Sequence, residues 1–186
     1  MKKIAQVLTK QIYKNSPSFS ELDLKKIQFG LECFFSDTSK MIIYLMLFSL
    51  LGLTKYYLIS AAFFVILRTV AGGYHEKTYV RCLVSSLILF LIMVYGGTML
   101  EIPTYIKLFL AVTCLLLIYI YAPVDHPNKP IISEERRRKF KINSIITYAI
   151  MLGISFLIGG KYGNTAFMAL VVESITLPIG YYKNKK

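Results

Sequence analysis

Apolar residues gather along this chain in six runs, 41–53, 56–72, 83–100, 105–122, 144–160 and 164–181, and polar residues are concentrated between them. Most runs are about 17 to 18 residues, the lower end of what crosses a hydrocarbon core as a helix, and the first is shorter still. They predict short transmembrane helices, thinly packed or tilted against one another. Ahead of them the periodicity changes. Residues 1–15 set Lys2, Lys3, Lys10 and Lys14 against Ile4, Val7, Leu8 and Ile12, spaced for one face of a basic amphipathic helix. No long apolar core follows it, so a cleavable signal peptide is not expected. Past Pro17, Ser20 and Asp23 make a capping-box-like start. Leu24, Ile27, Leu31, Phe34 and Phe35 then mark a second amphipathic helix along the membrane surface. The expected fold class is all-α, a polytopic integral membrane protein with about six short transmembrane helices plus N-terminal amphipathic helices. A single membrane domain, 1–186, is expected: amphipathic helices on the cytoplasmic side over 1–40, a transmembrane bundle over 41–181 and a basic tail over 182–186.

Composition strengthens this picture. Hydrophobic residues make up 55% of the chain and charged residues 17%, and the mean hydropathy is +0.55, outside the range of soluble domains. With 14 Tyr and no Trp, tyrosine is the expected interfacial anchor. The net charge of +12 does not indicate nucleic acid, because the basic residues form short clusters between apolar runs rather than a stripe. Those clusters orient the chain instead. With an even number of crossings and both termini cytoplasmic, only Lys55, Lys107 and Lys161 of the 22 Lys and Arg fall outside. No internal repeat is seen, which weighs against an inverted-repeat transporter. Three cysteines, Cys33, Cys82 and Cys114, signal neither a disulfide framework nor a metal knuckle. Two histidines without ligand-like companions argue against zinc, and no cofactor is implied.

The stretch from Arg68 to Cys82 concentrates reactive chemistry: a thiol, an imidazole (His75) and two guanidinium groups (Arg68, Arg81) around Gly72-Gly73. A cysteine nucleophile needs such neighbours. His75 can take the thiol proton, and Arg68, Arg81 and a helix start at Cys82 favour the thiolate. Seven residues along a straight helix would hold His75 and Cys82 roughly 10.5 Å apart, too far for proton transfer. The segment must therefore fold back, and Gly72-Gly73 permit such a turn. On spacing alone, a solvated loop histidine and a small apolar cysteine explain the pair better.

The chain resembles the accessory gene regulator B (AgrB) family, membrane-embedded cysteine endopeptidases of bacterial quorum sensing, over nearly its whole length. The resemblance is carried by Arg68, Gly73-Tyr74-His75 and Cys82, then by Tyr121-Ala122-Pro123, Lys129-Pro130 and Glu173-Ser174-Ile175-Thr176-Leu177-Pro178. It implies His75 and Cys82 as catalytic residues. Arg68, Gly73, Arg81, Glu173, Lys129, Arg136, Arg137, Arg138 and Lys139 are the candidate supporting or substrate-binding positions. The implied substrate is an AgrD-like propeptide whose acidic C-terminal tail is removed. The peptide would then pass through a thioester on Cys82 to a cyclic thiolactone or lactone. Membrane lipids and a second copy of the chain join the propeptide as candidate partners. The implied location is the bacterial plasma membrane, with termini and catalytic loop cytoplasmic.

Other residues carry weaker signals. Glu32, Asp37 and Glu76 could each orient His75, and that role stays unassigned. A carboxylate inside an apolar run is costly, so Glu173 is expected to pair with Arg68 across the second and sixth spans, or else to be protonated on a backbone carbonyl. Asp125-His126-Pro127 reads as loop chemistry, and Cys33 and Cys114 read as packing residues. The run from Glu134 to Lys139 reads equally as a headgroup-facing patch and as a dock for an acidic tail. The competing function is a small non-catalytic transporter or channel component. Such a protein should hold several polar groups at mid-membrane, whereas Glu173 is nearly alone there.

Overall fold

The computed structural model describes residues 2–15, 19–73, 76, 78–125 and 131–184. Seven α-helices occur among them: α1 (Lys2–Asn15), α2 (Glu21–Leu50), α3 (Thr54–Ala71), α4 (Tyr79–Met99), α5 (Thr104–Tyr121), α6 (Glu134–Ile158) and α7 (Gly160–Asn184). Six of them, α2 to α7, are long and apolar enough to cross a membrane. The protein is a polytopic helical membrane protein. The chain divides into two compact units, Met1–Leu50 and Leu51–Lys186.

In the first unit α1 packs on α2. The capping-box-like start of α2 is present: Asp23 N–H donates to Ser20 Oγ at 3.2 Å, and Ser20 Oγ donates to Asp23 Oδ2 at 2.7 Å. The second amphipathic stretch and the first apolar run, expected as separate elements, form this one 30-residue helix. Nothing between Ser36 and Leu50 breaks it, since the change there is in side-chain polarity rather than in backbone preference. Cys33, expected to be a packing residue, is exposed.

In the second unit α7 is the hub, packing against each of α3, α4, α5 and α6. Two-thirds (67%) of its apolar window is buried, against 39% or less in every other span. Lipid tails are as apolar as leucine, so helices associate in a membrane by close packing and hydrogen bonds. Both are visible around α7. Gly97 of α4 lies against the Thr165 backbone, Gly163 of α7 against the Ser155 carbonyl of α6, and Gly96 against Met168. Tyr148 Oη of α6 donates to the Ala111 carbonyl of α5 at 2.9 Å. Hydroxyls within the spans bond back one turn, as Thr98 does to Val94, Thr165 to Lys161 and Ser174 to Leu170, each at 2.8 Å. Tyr57 and Phe64 of α3 meet Phe90 of α4 edge-on.

The basic cluster starting at Arg136, expected in a loop, belongs to the first turns of α6. Ser133 caps that helix by accepting from Arg136 N–H, and Glu134 and Glu135 occupy its first turn, where the dipole favours acids. At the other end of the unit, Lys107 Nζ donates to Asn164 Oδ1 at 2.6 Å, and Tyr56 stacks on Tyr162.

Candidate active site

Five helix ends meet at one pole of the second unit: the C-termini of α3, α5 and α7 and the N-termini of α4 and α6. Gly72, just past α3, pairs with Val124, just past α5, and Val124 N–H donates to the Ala71 carbonyl at 2.9 Å. Gly72 has φ +77°, and a Cβ there would collide with the Val124 carbonyl oxygen. Only glycine meets both demands without strain. The Ala122–Pro123 peptide leading into Val124 is cis. Asp125 then takes the Arg137 guanidinium, which also donates to the Ile131 carbonyl at 3.4 Å. Tyr121 meets Tyr181 and Tyr182 at the end of α7.

Beneath this pole lies the one charge pair between spans seen among the described residues. Arg68 Nη1 donates to Glu173 Oε2 at 3.1 Å and approaches Oε1 at 3.5 Å. The Glu173 side chain is wholly buried, and that of Arg68 is 19% exposed. Thr176 Oγ1, one turn on along α7, lies 3.1 Å from Glu173 Oε2 and 2.8 Å from the Glu173 carbonyl. The other face of the guanidinium lies under the Gly73 backbone, where an added Cβ would sit 2.8 Å from Arg68 Cζ. Arg68 Cζ also lies 5.4 Å from the Phe64 ring centroid. The ion pair expected between the second and sixth spans is therefore present, with Gly73 resting on it.

α4 resumes at Tyr79. Thr78 is its N-cap and accepts from Arg81 N–H at 3.4 Å; Cys82 N–H donates to the Thr78 carbonyl at 3.0 Å. Cys82 thus stands in the first helical turn with its side chain half-buried. α4 does not begin until Tyr79, three residues before Cys82.

His75 and Lys129 lie outside the described residues. Arg81, Arg136, Arg138 and Lys139 are exposed, and Lys139 pairs along its helix with Glu135 at 2.7 Å. Among the acids considered for orienting His75, Glu32 accepts from Gln28 and Asp37 pairs with Lys40, both in the first unit, while Glu76 lies half-buried in the loop before α4. No group of three metal-ligating side chains occurs among the described residues. Sequence reasoning missed the Gly72–Val124 contact, the Asp125–Arg137 pair and the hydroxyl of Thr176. Only the last had a signal, its i,i+3 spacing from Glu173 on a helix.

A multi-pass helical membrane protein with a buried ion pair under a glycine turn and a thiol at the next helix start is the class that fold and site define. Residues 1–177 match the family Accessory gene regulator B. The chain is 32% identical to accessory gene regulator protein B of Staphylococcus carnosus, over 87% of this chain and 84% of that protein. It is 29% identical to an AgrB-like protein of Clostridium acetobutylicum, over 99% and 91% respectively. With the accessory gene regulator protein B of Staphylococcus aureus strain RF122 it shares 26% identity over 89% of each chain. No solved structure matches it. The protein belongs to the accessory gene regulator B family, and its place is in accessory gene regulation.

Proposed function

We propose that the protein is a membrane-embedded cysteine endopeptidase of quorum sensing that removes the C-terminal tail of an AgrD-like propeptide and passes the remainder, through a thioester, to a cyclic thiolactone or lactone. The observation that carries this reading is Cys82 in the first turn of α4, directly after a loop held at Gly72 and Gly73 by its neighbours. A half-buried thiol in the first turn of a helix, next to a polar loop, is placed where a peptide carbonyl could reach it.

The Cys82 sulfur attacks the carbonyl preceding the tail. His75, having taken the thiol proton, gives it to the leaving amine, so the tail departs with a free N-terminus and the peptide stays as an acyl group on Cys82. A Cys or Ser side chain within the peptide then attacks that thioester. The new ester bond closes the ring as the C–S bond to Cys82 breaks, and the proton returns to the enzyme thiol. With a Cys nucleophile one thioester replaces another and bond energy changes little, so closure depends on proximity and on exclusion of water. Arg136, Arg138 and Lys139, exposed at the start of α6, and Lys129 would receive the acidic tail. Catalytic loop and both termini face the cytoplasm of the bacterial cell, and a homodimer is compatible with this scheme.

Cys82→Ser and His75→Ala are each expected to abolish cleavage of a co-expressed propeptide, read by mass spectrometry, with membrane insertion intact. Cys33→Ala and Cys114→Ala remain active. Processing that survives Cys82→Ala removes the mechanism.

A further inference from the structure

The geometry points to Glu173 as a positioning residue: through Arg68 it holds the Gly72-Gly73 turn in the conformation that the chemistry at Cys82 requires. This rests on the endopeptidase reading above.

The argument begins with what surrounds the carboxylate. Glu173 is wholly buried in the central helix α7, and its charged partner is 105 residues away in sequence, on α3. Thr176 Oγ1 at 3.1 Å from Oε2 fixes the carboxylate from the side. A charge-assisted hydrogen bond in such a setting is short, directional and strongly favoured over leaving either ion alone in hydrocarbon. The guanidinium it holds is not spare. One of its nitrogens both bonds Glu173 and lies against the site where a Gly73 Cβ would be. Carboxylate, guanidinium and loop backbone are thus stacked in sequence. Any shift of Arg68 is transmitted to the turn, and Gly73 has no side chain with which to take it up.

The turn is held from a second direction. Gly72 is pinned to Val124 by the Val124 N–H bond to Ala71, and Asp125 next to it is tied to Arg137. The Gly72-Gly73 turn is therefore held from two directions, one polar and one through the backbone. The polar anchor includes the buried Glu173 carboxylate, and removing its charge should change the rate of the chemistry more than the binding of the peptide.

The test is Glu173→Gln in the purified full-length protein in lipid nanodiscs, with propeptide as substrate. Cleavage kcat is expected to fall on the order of ten- to a hundredfold while KM changes less than about threefold. Alkylation of Cys82 by a small maleimide, followed in a Cys33→Ala, Cys114→Ala background, is expected to slow in parallel. Thr176→Val leaves both charges in place and serves if Glu173→Gln does not insert; it is expected to show the same pattern at smaller amplitude. The charge-swapped pair, Arg68→Glu with Glu173→Arg, should regain thermal stability over the single changes without regaining kcat, because a carboxylate then faces Gly73. Wild-type kcat and alkylation in whichever of Glu173→Gln and Thr176→Val inserts would overturn the assignment, as would a swap that restores kcat along with stability. If Cys82→Ser itself retains cleavage, it is the endopeptidase reading that fails.

Discussion

Single residues at the loop pole are under unequal constraint, and glycine shows this most directly. Gly72 combines a positive φ with a Val124 carbonyl where its Cβ would be. Gly72→Ala is therefore expected to destabilise the protein by roughly 1–3 kcal/mol, the cost of a strained backbone residue with no room to relax. Gly153 in α6 has nothing within 4 Å. Gly153→Ala should be neutral or stabilise by up to about 1 kcal/mol through helix propensity. Unfolding in mixed detergent micelles measures both, and equal midpoints would contradict the distinction. The Arg68–Glu173 pair was readable from sequence because isolated charges within apolar runs require partners, and only one of each sign was suitably placed. Thr176 had only its i,i+3 spacing from Glu173 to mark it, and Asp125 had no signal. Hydroxyls and loop acids are common, and nothing in the spacing of Asp125 names the guanidinium it meets. The turn at Gly72-Gly73 was legible from its glycines, but the Val124 backbone that requires glycine there was not, since that contact joins segments about fifty residues apart.

At the scale of elements, all six spans were legible, because length and apolar composition are properties of each segment alone. Their ends were less so. α6 starts ten residues before the apolar run within it, on a Ser133 cap followed by two acids, a signal hidden by the basic residues that follow. α2 joins a polar and an apolar stretch in one helix, since hydropathy reports surroundings and not helix continuity. The packing partners could not be read at all, because close approach depends on which small residue faces which backbone. The contact of Gly97 with Thr165 gives the firmest prediction at this scale. Gly97→Leu would force α4 away from α7 and should cost about 1–3 kcal/mol by overpacking. The same unfolding assay would show a lowered midpoint; a wild-type midpoint would mean that α4 and α7 do not approach so closely.

For the whole molecule, the testable consequence is sidedness. Gly72, Val124, Arg137 and Tyr181 gather at one pole of the second unit, with Lys107, Asn164 and Tyr162 toward the other. With single cysteines at 55, 77, 101, 137 and 161 in a protein lacking its native three, a membrane-impermeant maleimide added to intact cells should label 55, 101 and 161. Positions 77 and 137 should label only after permeabilisation; the reverse pattern would invert the topology. The central place of α7 also has a temporal meaning. Arg68 enters the bilayer with α3, and Glu173 follows 105 residues later. At a synthesis rate of about 5–20 residues per second, that separation is roughly 5 to 20 s. Throughout that interval the guanidinium must be sheltered by water, headgroups or the insertion machinery. The helix that relieves it is also the one on which the four others pack, so a nascent chain halted before α7 has neither its buried charge neutralised nor its bundle closed.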